Sequence, residues 1–162
     1  MSDDLTLLRS PNFNNRGKSV PRVVVLHASA GKSDKGDVTW LADKKSGVSY
    51  HTLIGRDGTV YAMVKPEYRA WHCGASEWNG IKDVNAVALG VSFCNKHDHT
   101  EPLTAAQIAA GRTVVEAWCK RYPIEDVTTH AAIAPGRKFD PLHVPNFYLA
   151  DWQEILDTAR GM

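Results

Sequence analysis

The sequence predicts an α/β fold: a single domain in which helices flank a mixed central β-sheet. Three observations carry that expectation. Residues 22–27, Arg-Val-Val-Val-Leu-His, form a β-branched run that is apolar on both faces and too short for a helix, which suits a buried central strand. The stretch Gly55-Arg56-Asp57-Gly58 separates two strand-like segments and carries the Asp-Gly pair of a tight hairpin turn. Thr104-Ala105-Ala106-Gln107 is a capping box that opens a long amphipathic helix. The chain has 162 residues, 43% hydrophobic and 23% charged, so one globular domain over 1–162 is expected and a disordered or collagen-like chain is excluded.

Taken in order, residues 1–21 read as a polar surface segment leading into the domain, since 9–21 are rich in Ser, Asn, Gly and Pro. The strand at 22–27 follows and places His27 at its carboxyl end. Asp37 is positioned to cap a helix over 37–46, closed by Gly47 in the left-handed conformation. The hairpin strands cover 48–54 and 59–64, in which Tyr50 and His51, as strand neighbours, face opposite sides. Residues 66–82 form a long connection holding Trp71, His72 and Trp78, a candidate binding wall. A second buried strand is expected at 87–93. The capped helix then runs to about Arg121, with Ile108, Val115, Cys119 and Tyr122 on its apolar face and the Glu116/Lys120 pair off it. A last strand at 126–129, a loop over 130–146 with three prolines and a closing helix at 147–159 complete the chain.

Charge and composition limit the function. Nineteen Lys and Arg against 18 Asp and Glu leave a net charge of +1, so no sequence-independent attraction to nucleic acid or anionic membranes is expected. The longest apolar run, 60–64, is far below the roughly 20 residues of a membrane span, so no membrane insertion is expected. The start, Met1-Ser2-Asp3-Asp4-Leu5, is acidic where a signal peptide is basic, which implies synthesis in the cytoplasm. Three widely spaced cysteines, Cys73, Cys94 and Cys119, suggest reduced thiols and neither a disulfide framework nor a four-cysteine zinc site. A monomer is expected.

His27 ends one strand and His130 follows another, so the two can meet at one edge of the sheet. Between His130 and Asp140 the Pro135-Gly136 turn can fold the acid back toward the imidazole. Two histidines with one carboxylate make a catalytic zinc set with an open fourth position. A histidine in isolation is more often a core or surface residue than a ligand, so spacing alone leaves this open. His97 and His99 lie in Asn95-Lys96-His97-Asp98-His99, a plain surface stretch apart from adventitious metal binding, and His143 is a weaker rival ligand. The neighbours His72 and Cys73 raise a cysteine-hydrolase reading, which their diverging side chains and the lack of an orienting third group disfavour.

The segment from His130 to Pro141, His-Ala-Ala-Ile-Ala-Pro-Gly-Arg-Lys-Phe-Asp-Pro, resembles the metal-binding loop of the zinc-dependent N-acetylmuramoyl-L-alanine amidases, a superfamily that also holds phage lysozyme-type amidases and peptidoglycan recognition proteins. Further likenesses follow in order: Val25-Leu26-His27, Ser49-Tyr50-His51 with its Arg56-Asp57-Gly58 turn, Ala70-Trp71-His72-Cys73-Gly74, and the stretch 85–91. The resemblance implies that fold, with His27, His130 and Asp140 holding Zn²⁺ and Lys138 pointing into the same site. Zinc would polarise the amide carbonyl and activate water, and Lys138 would stabilise the oxyanion. Tyr50 stands where the phage type carries a hairpin tyrosine and would orient the water. Trp71 and His72 would line the substrate groove, and Arg137 would pair with a stem-peptide carboxylate.

Two positions depart from the family. Ser92 stands where many such amidases carry a glutamate, and Leu142 where glycine often follows the Asp-Pro pair. The activity implied is zinc-dependent hydrolysis of the amide between N-acetylmuramic acid and L-alanine. As a cell-wall-degrading endolysin, the chain would need a separate export or holin route to its peptidoglycan. The alternatives are a cytosolic amidase of soluble muropeptides, or a peptidoglycan-binding recognition protein without catalysis, which Ser92 keeps open.

Overall fold

The computed structural model describes residues 4–161, so the first three residues of the predicted N-terminal segment, and Met162, lie outside it. Strands β1 (Phe13–Asn15) and β5 (Tyr68–Ala70) pair as a small antiparallel ribbon. The central sheet has the order β4-β3-β6-β2-β7, from β2 (Val23–Ala28), β3 (Thr52–Ile54), β4 (Val60–Ala62), β6 (Ala88–Phe93) and β7 (Asp126–Thr129). Its strands are parallel except β4, which returns antiparallel to β3 through the predicted turn, with Gly58 at φ +86. The sheet is mixed, as the sequence predicts.

The two-residue period of the strands decides what each face carries. On β2, Val24, Leu26 and Ala28 join Leu89, Val91 and Phe93 of β6 in the main core. The helices α3 (Ala105–Arg121) and α5 (Leu149–Ala159) cover that face. The predicted face of α3, Ile108, Val115, Cys119 and Tyr122, packs into this core, and the Thr104/Gln107 capping box is present. The opposite face of β2 carries Val23, Val25 and then His27, over a smaller cluster with Cys73, Trp78 and Ile133. On β6 that face consists of Ala88, Gly90 and Ser92, small residues that leave room above the sheet.

Several expectations shift. The first helix, α1, spans Asp34–Ala42 and is capped by Ser33, not Asp37. Asp37 instead accepts a hydrogen bond from the Ser29 hydroxyl, a buried partner that outcompetes a solvent-exposed cap. A 3-10 turn, Lys44–Ser46, capped by Asp43, then leads to Gly47 at φ +64, the predicted stop. Tyr50 and His51 precede β3 rather than lie within it. Val87 closes a helical turn, α2 (Val84–Val87), and His130 opens another, α4 (His130–Ile133), in what reads as loop. The closing helix begins at Leu149, because Phe147 turns inward to the core.

The largest correction concerns residues 1–21, which are not merely a surface segment. Asn12 and Arg16 are buried, and β1 lies between them. Arg16 is held by the carbonyls of Pro66, Asn85, Ala86 and Ala88 at 2.8–3.2 Å. A planar guanidinium meets such scattered acceptors better than a point charge does. Its burial lowers the pKa to about 10, which leaves it charged at neutral pH. All three cysteines are free, as predicted. Among the described residues no helix is long and apolar enough to cross a membrane.

Candidate metal centre

Parallel pairing brings the two histidines together. Leu26 of β2 faces Thr129 of β7, so the next residues, His27 and His130, emerge side by side from the carboxyl ends of adjacent strands. Thr129 then caps α4 by accepting from the Ala132 N–H, which fixes the direction in which His130 leaves the sheet. The chain returns at Asp140, whose carbonyl accepts from the Ala131 N–H and whose Oδ2 accepts from the Ala28 N–H. His27, His130 and Asp140 each offer one ligand atom within a 4.8 Å span, all three buried.

The tautomers follow from the partners. His130 Nε2 lies 2.9 Å from the Cys73 carbonyl, which can only accept, so Nε2 carries the proton and Nδ1 its lone pair. That Nδ1 faces His27 Nδ1 at 3.1 Å and Asp140 Oδ1 at 3.3 Å. His27 turns its other nitrogen, Nε2, to His72 Nδ1 at 2.8 Å. Burial lowers the His27 pKa to about 4, which keeps it the neutral imidazole a metal requires. For Asp140, burial alone would raise the pKa, but hydrogen bonding to His130 and His27 outweighs it and holds the carboxylate well below its usual range. Two imidazole lone pairs and a carboxylate that converge in a dry recess need a cation, a proton or a metal, between them.

Support for these groups reaches outward. Arg137 donates to the carbonyls of Cys73 and Ala75 at 2.7–3.1 Å, so it grips the same carbonyl that orients His130. Gly74 makes the grip possible, since a Cβ there would lie 2.9 Å from the guanidinium. His72 is buried behind His27, and its predicted place on the substrate groove is corrected to one that orients His27. Trp71 is half-buried, and its indole N–H donates to Asn14 at the β1–β5 ribbon. Cys73 is buried and its thiol is pushed far up by burial, which removes the nucleophile that the cysteine-hydrolase reading needs.

A cavity of about 350 Å³ opens over His130 and Asp140, lined also by Tyr50, Arg137, Lys138, Phe139 and His97, with His27 buried behind them. It meets a second cavity of about 590 Å³ at Ala30 and Tyr50, which runs past Trp40 and Val48. Tyr50 packs on His27, ring centroids 4.9 Å apart, and burial together with nearby Asp140 raises its phenol pKa above the ordinary range. Ser92 is fully buried beside Tyr50 and offers a hydroxyl where a carboxylate would reach the site. Leu142 is exposed and its backbone avoids positive φ, so glycine is not required there. Three wall residues escaped the sequence reading: Trp40 and Phe139, exposed aromatics, and His97, which read as plain surface. The signal of the two aromatics is exposure, which no local pattern reports.

Residues 16–143 match the family described as N-acetylmuramoyl-L-alanine amidase. A 1,6-anhydro-N-acetylmuramyl-L-alanine amidase, AmpD, of Citrobacter freundii is 37% identical over 107 residues, 65% of this chain and 54% of that protein. An AmpD crystal structure aligns with TM-score 0.75 and 27% identity over 92% of each chain. The amidase AmiD of E. coli, in complex with its substrate anhydro-N-acetylmuramic acid-L-Ala-D-γ-Glu-L-Lys, aligns with TM-score 0.74 and 26% identity over 91% of this chain and 60% of that one. The chain spans about half the length of the curated relatives it matches.

Proposed function

The chain belongs to the N-acetylmuramoyl-L-alanine amidase family, and from that premise we propose that it is a zinc-dependent hydrolase of the amide between N-acetylmuramic acid and L-alanine. The observation that carries the reading is the buried convergence of His27 Nδ1, His130 Nδ1 and the Asp140 carboxylate beneath an open cavity. These three would hold the metal. Nitrogen and oxygen donors of this number leave a coordination position free, which suits a catalytic zinc site. Bound there, zinc supplies a Lewis acid that polarises the carbonyl and acidifies water.

The remaining steps fall to the side chains around it. Lys138 lines the cavity, where its ammonium stabilises the negative charge that builds on the carbonyl oxygen. Tyr50 keeps its proton at neutral pH and serves as a hydrogen-bond donor that orients the reacting groups, not as a free base. Arg137 supports His130 through the Cys73 carbonyl and leaves positive charge at the rim for a stem-peptide carboxylate. Trp40 and Phe139 offer apolar faces to the sugar and peptide. The substrate bound in the AmiD complex, and the activity that the name of the AmpD relative states, support a muropeptide as substrate.

Mass spectrometry of the products from an anhydro-muropeptide and from purified peptidoglycan, with chelated and zinc-restored samples, tests this. Stem peptides with a free L-alanine amino group should appear, vanish on chelation and return with zinc. His130→Ala should lose zinc and hydrolysis together, and Lys138→Ala should keep zinc while kcat falls about 100- to 1,000-fold. Peptidoglycan binding without release would replace the enzyme by a recognition protein.

A further inference from the structure

A further cavity, of about 680 Å³, shares no lining residue with the two that meet at the candidate metal centre. It opens where α3, the sheet edge at β4 and the β1–β5 ribbon come together. Met63, Val64 and Trp118 line it as buried residues and Val114 as a half-buried one, while Phe13 and Tyr68 stand open to solvent with ring centroids 4.9 Å apart. Small-molecule pockets have volumes of roughly 300–1,000 Å³ and predominantly apolar linings, and this cavity has both properties.

Polar and charged groups are divided between its interior and its rim. Inside, Ser10 Oγ accepts from the Asn12 N–H at 3.1 Å, and His51 accepts from the Gly90 N–H and donates to the Tyr68 carbonyl. Those atoms are already bonded within the protein, so what the interior offers a ligand is apolar surface, which gains by leaving water. The charged residues that line the cavity are Arg9 and Lys65, both exposed, and no acid joins them. Arg9 Nη1 donates to the Thr6 and Leu8 carbonyls at 2.7 and 3.0 Å, which holds its guanidinium in place. Neither cation forms an ion pair among the described residues, so both charges are free to meet an anion. In a chain whose net charge is only +1, this bias is local.

We propose that this cavity binds a single-chain fatty carboxylate, its hydrocarbon chain among the apolar side chains and its carboxylate at Arg9 and Lys65. A polar solute would find few free hydrogen-bond partners inside, and a cationic amphiphile would meet two like charges at the rim. None of the three proposed metal ligands lines this cavity.

Dodecanoate, titrated below its micelle-forming concentration and followed by calorimetry and methyl NMR, tests the site. One equivalent should bind, and the methyl groups of Met63, Val64 and Val114 should shift together along one saturation curve. The variant R9E/K65E should bind about 10-fold more weakly or worse, since two attractions become repulsions. Ala117→Phe, at an exposed position of α3 that lines the cavity, should block binding and leave the circular dichroism unchanged. Dodecyltrimethylammonium, with the same chain and the opposite charge, should bind at least about 10-fold more weakly than dodecanoate. Equal affinity for the two amphiphiles, uptake only above the micelle-forming concentration, or methyl shifts confined to other residues would each overturn the proposal. These three readings use the unaltered protein, so none depends on a variant that folds.

Discussion

At the scale of single residues, the chemistry rests on which hydrogen bonds fix which imidazole. A Cβ added at Gly90 would lie 2.6 Å from His72 Nδ1, so only glycine leaves room for the ring that orients His27. Gly90→Ala is expected to fold yet bind zinc roughly 10- to 100-fold more weakly, the cost of losing a partner behind a ligand. Zinc affinity in a competition assay checks this, and unchanged affinity would show that His72 does not act on the metal. His51 carries a pH signature. The Gly90 N–H can only donate, so His51 Nδ1 accepts it at 3.0 Å and Nε2–H donates to the Tyr68 carbonyl at 2.9 Å. Burial lowers its pKa to about 3, so between there and an unfolded value of about 6.5 the unfolded chain binds the extra proton. Stability from this group is complete above pH 6.5 and falls as the pH drops toward 3, by up to about 1.4 kcal/mol per pH unit. Melting temperatures between pH 7 and 4.5 should fall less steeply in His51→Gln, whose amide can keep both hydrogen bonds. The proposed ligands His27, His130 and Asp140 were suggested by residue type, strand end and turn, and singled out only by the resemblance of the segment from His130 to Pro141 to an amidase loop. The work of His72 was not legible, since its partner lies 45 positions away.

At the scale of elements, local chemistry predicted what local chemistry controls. The Thr104 capping box, the Gly47 stop and the Asp57-Gly58 turn each stand where sequence places them, because each satisfies backbone groups a few residues away. Errors arose where a distant partner competed. Asp37 gave up its cap for Ser29, and Phe147 gave up a helical turn for the core. Packing between elements is testable at Gly111 of α3, where a Cβ would lie 2.7 Å from the Phe93 ring and 2.9 Å from Trp152. Alanine gains up to about 1 kcal/mol in helix propensity but overpacks the junction of α3, β6 and α5 by about 1–3 kcal/mol. Gly111→Ala is therefore expected to lower the urea midpoint, and a raised midpoint would show that the rings slide apart freely.

At the scale of the whole molecule, a metal held by the proposed ligands would be linked to the fold. The three proposed ligands come from β2, α4 and the loop after it, so an ion joins parts that the unfolded chain keeps apart. At zinc 100-fold above its dissociation constant the folded state gains about 2.7 kcal/mol, roughly 5–10 °C in Tm for a chain of this size. A chelator should remove that increment and zinc restore it, whereas an unchanged Tm would mean that the ligand set is too loose to couple to folding. The N-terminal segment shows the same dependence on distance: Arg16 reads as surface because its four carbonyl partners are at least 50 residues away.

The sequence by itself determined the α/β class and the main strands and helices, since periodicity, caps and turn chemistry act within a few positions, and its likeness to a known loop pointed to the residues of the candidate metal centre. Only the tertiary structure decided that Arg16 is buried, that His72 stands behind His27 and that Phe13, Tyr68 and Trp118 line one cavity. Each of those depends on strands and loops far apart in the chain arriving at the same place, and no local pattern records that.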